Sequence, residues 1–181
     1  MLNGRRRLRA VTIAGHRGFT VTEGNHMGSS VAELLRAWRE AERRWELPGS
    51  PEQVRAAALE VVTAWANYQN ASLADDTNEF LFVADEAGAY VAATNGVRRV
   101  LGYEPNSLIG RRIADITAPA IFDQTPAHWE RFLAEGRMEG TYLLRHALGT
   151  VVEVNYQARA HHPVPGFHVS RLWPRDPGKP S

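Results

Sequence analysis

Histidines are the side chains of this sequence best suited to metal or acid–base chemistry. His146, His161, His162 and His168 fall on or beside three segments with strand-like patterns near the end of the chain. Adjacent antiparallel strands could bring two or three imidazoles together, as zinc and copper sites require. However, consecutive residues of a strand point to opposite faces, and no carboxylate stands at motif spacing beside His161 and His162. We therefore expect solvated or cross-strand histidines and no metal site.

Other kinds of chemistry find little support in the residue types. The chain has no cysteine, which removes disulfides, thiolate nucleophiles and iron–sulfur ligands and is compatible with a reducing compartment. Asp85, Glu86 and Asp115 fall in predicted turns or caps, and no nucleophile elbow, phosphate loop or carboxylate pair stands out. The sequence therefore predicts no catalytic residue and no enzyme activity.

The length and the net charge limit the number of domains and the kinds of partner that we expect. The 181 residues suffice for one domain with a core and an appendage. The net charge of +1 gives no overall field that would attract nucleic acid or anionic lipid. No apolar run approaches the roughly 20 residues of a membrane helix, so we expect a cytoplasmic protein with no membrane partner.

Residues 1–30 read as a weakly structured basic leader. Residues 1–26 contain five arginines against one glutamate, interspersed with glycine. The cluster fits either an arm for nucleic acid or a leader without a partner, and the absence of interleaved aromatics favours the second. Met27 directly precedes the first helical pattern and is a candidate for the biological start.

Residues 31–70 carry two helical patterns that predict a hairpin. Ser50, Pro51 and Gln53 form a capping-box start for the second helix, after the turn that ends the first. The apolar positions of the two helices are Val31, Leu34, Leu35, Trp38, Ala41 and Trp45, then Val54, Ala58, Val61, Trp65 and Tyr68. The second set alternates steps of four and three, as in a heptad seam. The hairpin is either a cap on the core of the following domain or a dimerisation element, and two heptads leave both open.

After the hairpin, the sequence pattern changes from that of helices to that of short strands. Strands are predicted at 80–84 and 90–93, joined by a tight turn at Gly88. A longer helix begins after Thr125, and strand patterns follow at 139–147, 150–162 and 167–174. Residues 174–181 form a polar, proline-rich tail that we expect to be flexible.

The stretch FVADEAGAYVAATNGVRRVLGYEPNSLIGRRIADIT resembles the opening half of a PAS domain. The similar features are Asp85 and Gly88 in the first hairpin, Asn95 at the strand-to-helix junction, and Gly102 and Gly110 between short helices. The closing strands resemble the family as well, and the likeness covers residues 78–173. It implies an α+β fold, a five-stranded antiparallel sheet with short helices over one face, here preceded by an α-helical hairpin.

The resemblance also implies a movable lid, and it limits which cofactors of the family this chain could bind. The short helices of a PAS domain cover the concave face of the sheet, and Asn95 resembles the residue whose side-chain amide ties the second strand to the first lid helix. Without cysteine, neither the flavin adduct nor the thiol-tethered chromophore of the family can form. Haem-sensing members use a histidine, commonly on the long helix, where this chain has His128. The alternative for His128 is a surface histidine.

We therefore expect a non-catalytic PAS sensory or interaction module whose cofactor, if any, the sequence does not identify. The expected partners are a second copy bound through residues 31–70, a separate output protein and a small molecule. The alternatives are a haem- or flavin-binding redox or gas sensor, and a ligand-free dimerisation adaptor. The candidate binding residues are Phe82, Tyr90, Asn95, Phe122, His128, Trp129, Phe132, Tyr142, Tyr156 and Phe167.

Overall fold

The structure, a computed structural model, describes residues 29–73 and 77–176. Most of the predicted leader, including Met27, and residues 177–181 of the predicted tail lie outside the described residues. The start of that tail is part of the fold, because Pro174 pairs with Val154 in the sheet and Arg175 donates to Glu153 at 2.6 Å.

The N-terminal hairpin consists of α1 (Val31–Trp45) and α2 (Pro51–Ser72). The predicted capping box at Ser50 is present: its hydroxyl accepts from the Gln53 N–H at 3.3 Å and its N–H donates to the Gln53 side chain at 2.8 Å. Ser30 and Glu33 form the same arrangement at the start of α1. Each box satisfies two backbone donors that a helix N-terminus otherwise leaves free, so both helix starts are set by local sequence.

A five-stranded antiparallel sheet forms the second part of the chain. The strands are β1 (Phe80–Asp85), β2 (Tyr90–Ala93), β3 (Arg137–Arg145), β4 (Val151–Arg159) and β5 (Phe167–Pro174). Their order across the sheet is β2-β1-β5-β4-β3. β5, the last of these strands in sequence, therefore lies in the middle of the sheet.

Short helices connect β2 to β3 across one face of the sheet. They are α3 (Gly96–Leu101), α4 (Pro105–Leu108), two 3-10 turns (Ile113–Ile116 and Pro119–Gln124) and α5 (Thr125–Glu135). Gly102 ends α3 in the left-handed conformation, with φ of +71°. Because a side chain at positive φ is disfavoured, glycine allows the reversal that so short a helix needs. The predicted fold class is confirmed.

Two apolar clusters lie on opposite faces of the sheet. Phe80 and Phe82 belong to the inner cluster beneath the short helices, whereas Leu81 and Val83 belong to the outer cluster beneath the hairpin. This follows from the alternation of side chains along a strand. All four residues are buried, so β1 reads as a continuous apolar run.

The hairpin covers the outer face of the sheet, mainly through α2. Ala58, Val61 and Trp65 are buried in the outer cluster together with Leu81 and Val83. The hairpin is thus a cap on the domain's own core, one of the two uses predicted for it. Its use in dimerisation stays a prediction. None of the helices in the described part of the chain is long and apolar enough to cross a membrane.

Candidate functional site

A small cavity lies between the inner face of the sheet and helix α5. Its volume is about 70 Å³. Apolar and aromatic side chains make up most of its wall, with a few hydroxyl and imidazole groups. The lining residues are Phe82, Ala84, Tyr90, Ile113, Thr125, His128, Trp129, Phe132, Met138, Tyr142, Leu144, Tyr156, Ala158, His168, Ser170 and Leu172.

Most of the candidate residues from the sequence surround this cavity. β1 and β2 place Phe82 and Tyr90 there, and their rings stack with centroids 4.4 Å apart. The other candidates at the cavity are His128, Trp129 and Phe132 on α5 and Tyr142 and Tyr156 on β3 and β4. Periodicity predicted these positions because each is on the inward face of its helix or strand. Their role as ligand contacts stays a prediction.

Phe122 and Phe167 do not reach the cavity, and their assignment to it is wrong. Phe122 lies in the second 3-10 turn, is 49% exposed and borders a surface groove. Phe167 is buried on the opposite face of the sheet, in the cluster beneath the hairpin. The bounds of this strand are as predicted, so the error at Phe167 concerns which of the two faces of β5 points inward.

Asn95 is also outside the cavity, and its side chain does not make the predicted tie to the first lid helix. The Asn95 side chain makes no capping hydrogen bond; its backbone N–H donates to the Asn70 side chain of α2 at 2.7 Å. Thr94, which is buried, instead accepts from the Leu81 N–H at 2.9 Å. The link between the end of β2 and the sheet is therefore a threonine hydroxyl one residue earlier.

His168 and Ser170 are polar cavity residues that the sequence did not assign to the binding site; His168 was considered only as a metal ligand. They share the inner face of β5 with Leu172, while Phe167 and Val169 point outward. The sequence predicted solvated or cross-strand histidines, and for β5 it placed Phe167 at the cavity instead. A hidden polar face on a central strand is uncommon, and only the sheet order identifies it.

Two hydrogen-bonded groups hold the polar part of the wall. The Tyr142 hydroxyl lies 3.2 Å from the Thr117 hydroxyl and 3.2 Å from the Thr125 hydroxyl. The Tyr156 hydroxyl lies 3.1 Å from Nε2 of His128. These contacts connect the start of α5 to β3 and β4, so they fix the lid helix over the cavity.

The His128 imidazole is held neutral by its surroundings. Partial burial lowers its pKa below the ordinary value, and the nearby Arg131 charge lowers the pKa further. Its Nε2 is already in contact with the Tyr156 hydroxyl. In this arrangement His128 therefore takes part in the hydrogen bond that joins the lid helix α5 to β4.

His168 is the most enclosed polar side chain of the cavity wall. It is 2% exposed, and its ring lies nearly perpendicular to those of Trp129 and Phe132. Its Nδ1 accepts a hydrogen bond from the His161 backbone N–H at 3.3 Å. Burial first, and the neighbouring His161 second, lower the pKa of His168 to about 4, so the ring is neutral at pH 7. Its Nε2 has no hydrogen-bond partner within the described part of the chain.

The dimensions of the site disfavour the large cofactors considered for it. Pockets for drug-sized ligands measure about 300 Å³ or more, whereas this cavity has about 70 Å³. A haem or a flavin does not fit in this arrangement. Across residues 29–73 and 77–176, no group of three or more histidine, aspartate or glutamate side chains is placed to hold a metal ion.

Comparisons with known proteins identify the fold. No family model and no curated protein matches the chain. The PAS domain of a protein from Colwellia psychrerythraea is 14% identical, with a TM-score of 0.51 over 59% of this chain and 94% of that chain. A domain of the sensory box sensor histidine kinase/response regulator from Geobacter sulfurreducens is 14% identical, with a TM-score of 0.50 over 64% of this chain and 96% of that chain.

The sheet with helices over its inner face therefore belongs to the α+β class of folds. More specifically, this part of the chain has the PAS fold, as the resemblance in residues 78–173 predicted. The two helices α1 and α2 precede it.

Proposed function

We propose that this protein is a non-catalytic PAS sensory module that binds a small molecule in the cavity and signals through the α1–α2 hairpin to a separate output protein. One observation carries the proposal: β5 borders the cavity with one face and the hairpin with the other. His168 and Leu172 line the cavity, and Phe167 and Val169 pack in the outer cluster with α2. A shift of this strand therefore changes the cavity wall and the packing against the hairpin together.

A second contact supports the same coupling. The loop after β4 reaches the cavity through His161, whose backbone N–H binds His168, and reaches the hairpin through His162, whose ring meets Trp65 edge-on. Two consecutive residues thus touch the cavity wall and the hairpin. The sensory origin of the similar Geobacter domain agrees with this function, although the likeness itself concerns only the fold.

Hydrogen–deuterium exchange with a bound fragment tests the proposal. Small fragments are first screened by thermal shift, and exchange is then measured with the best one. We expect slower exchange in β5 and α5 and a changed rate in α2 (Pro51–Ser72), because population shifts require a contact that differs between states. Slower exchange confined to the cavity wall would contradict the relay.

Matched variants separate binding from relay. Ala158 lines the cavity, so Ala158→Leu fills it, whereas Ala120→Leu adds the same side chain at an exposed position. Only the first is expected to abolish the thermal shift. His162→Ala removes the contact with Trp65 and leaves the cavity wall intact. It is expected to keep binding and to reduce the response of α2.

The alternatives make different predictions. A ligand-free adaptor predicts no thermal shift with any fragment and no effect of Ala158→Leu beyond stability. A haem or flavin sensor predicts visible absorption of the purified protein, which His128→Ala would abolish if that residue ligated haem. We expect a colourless protein, because the cavity of about 70 Å³ is too small for either group.

We further propose that the hairpin mediates a homodimer. Leu47 and Val54 lie near its turn and are 64% and 39% exposed, beside the half-buried Trp45. Sedimentation velocity over a range of concentrations tests this. Leu47→Glu combined with Val54→Glu is expected to shift the protein to a folded monomer, because neither side chain is buried within the protomer. A monomer in the unaltered protein would refute the dimer.

A further inference from the structure

We propose that His168 selects the ligand of this cavity, and that the ligand is a small uncharged molecule with a hydrogen-bond acceptor, such as a carbonyl oxygen, that binds Nε2–H. The inference rests on the proposed function of the cavity and adds the chemistry that the cavity recognises.

The hydrogen bond at Nδ1 fixes which nitrogen carries the proton. A backbone N–H can only donate, so Nδ1 of His168 must accept from His161 and is unprotonated. In the neutral imidazole the proton is then on Nε2. Since the pKa of His168 is lowered by burial, this neutral tautomer is the form present at neutral pH.

Nε2–H is a buried donor with no acceptor among the described residues. A buried polar group without a partner costs about 1–3 kcal/mol, so native proteins rarely keep one without a use. The rings that flank it are those of His161, Trp129 and Phe132, with centroids 5.1 Å, 5.3 Å and 5.9 Å away. None of these three rings accepts a hydrogen bond from Nε2. His168 lines the cavity, so this unused donor belongs to a mostly apolar wall in which the hydroxyls of Tyr142 and Tyr156 already have partners.

Charge and size limit the ligand further. Within residues 29–73 and 77–176, no lysine, arginine, aspartate or glutamate lines the cavity, and the imidazole of His168 is neutral. A carboxylate would be desolvated there without a cation, which is unfavourable. The volume of about 70 Å³ corresponds to a molecule of a few non-hydrogen atoms. A short ketone, aldehyde or amide meets all three conditions.

A pair of probes of equal shape tests the donor. 2-Butanone and 2-methyl-1-butene differ only by an oxygen in place of a CH₂ group, and propionate is a charged molecule of similar size. Binding of each to the full chain is followed by NMR through the Met138 methyl and Trp129 indole signals, and the His168 ring is followed by its ¹⁵N shifts. We expect the ketone to bind about five-fold more tightly than the alkene, as one neutral hydrogen bond provides.

The His168→Phe variant completes the test. It removes the donor and keeps a flat ring, so the ketone and the alkene are expected to bind it equally. If this variant does not fold, the Nε2–H signal of the unaltered protein decides instead: it must move downfield with the ketone and stay in place with the alkene.

The outcomes separate the two proposals. Equal binding of ketone and alkene to the unaltered protein would overturn the role of His168 and leave a ligand-binding cavity. Propionate binding as tightly as the ketone would overturn the restriction to uncharged ligands. If none of the probes binds, the proposed small-molecule function of the cavity fails together with the inference.

Discussion

The imidazole of His162 stands edge-on to the indole of Trp65, with ring centroids 5.4 Å apart and an interplanar angle of 89°. The contact joins the loop after β4 to the middle of α2. The backbone N–H of His161 donates to His168 in the cavity wall. Two adjacent residues of one loop therefore connect the hairpin to the cavity. A hairpin placed at the distant β3 edge of the sheet would have no comparable contact.

Trp65 is expected to be the anchor of the hairpin on the sheet. It is 4% exposed, whereas Trp38 of α1 is half-buried and stacks at an angle on Tyr68. Trp65→Ala should lower the free energy of unfolding by about 3–5 kcal/mol, as for other buried aromatics. Trp38→Ala should cost clearly less. Urea unfolding of the two variants measures the difference, and equal costs would contradict the packing described.

His168 should make the protein acid-sensitive in a defined pH window. Its pKa is lowered from 6.5 to about 4 in the folded state, so the unfolded chain takes up the proton first as the pH falls. The free energy of unfolding is therefore expected to decrease from pH 6.5 towards pH 4, by up to about 1.4 kcal/mol per pH unit for this proton. Below pH 4 both states are protonated and this contribution no longer changes.

The His168→Phe variant provides the control for that window. His128 and His162 also have pKa values lowered by burial, so part of the acid sensitivity remains in the variant. Urea unfolding at pH 7 and pH 5 should nevertheless show that the free energy of unfolding decreases less between these pH values in the variant than in the unaltered protein. Identical losses would mean that His168 is not held neutral by the fold.

Thr94, and not Asn95, should stabilise the junction after β2. Thr94→Val removes the acceptor for the buried Leu81 N–H and should lower the free energy of unfolding by about 1–3 kcal/mol. Asn95→Ala removes an exposed side chain without a capping hydrogen bond and should change it by less than about 0.5 kcal/mol. Thermal unfolding of both variants checks the order, and a larger loss in Asn95→Ala would restore the original assignment.

Gly96 should tolerate no side chain at all. A Cβ there would lie 2.1 Å from the Glu79 carbonyl oxygen and 2.9 Å from Cβ of Phe80, so α3 would have to move away from β1. Gly96→Ala is expected to cost at least about 3 kcal/mol, the upper range for overpacking. Gly110→Ala is the matched control. It meets no atom within 4 Å but has φ of +85°, and should cost about 1–2 kcal/mol.

The sequence by itself determined the features that depend on neighbouring residues. Capping at Ser50, the turn at Gly88 and the end of α3 at Gly102 all occur as predicted, because each is governed by the backbone preferences of a few consecutive residues. Alternation and helical spacing also placed Tyr156 and Trp129 on the inward faces of β4 and α5. Local pattern was sufficient wherever one face was apolar and the other polar.

Only the tertiary structure decided which face of β5 lines the cavity. Because β5 has buried residues on both faces, Phe167 beneath the hairpin and His168 and Leu172 beneath the short helices, alternation of residue types no longer indicates which face lines the cavity. Phe167 was therefore assigned to the cavity and His168 was not, the reverse of their positions. The unpaired Nε2 of His168 likewise depends on where the His161 N–H and the α5 rings lie, and these are set by packing between segments distant in the chain.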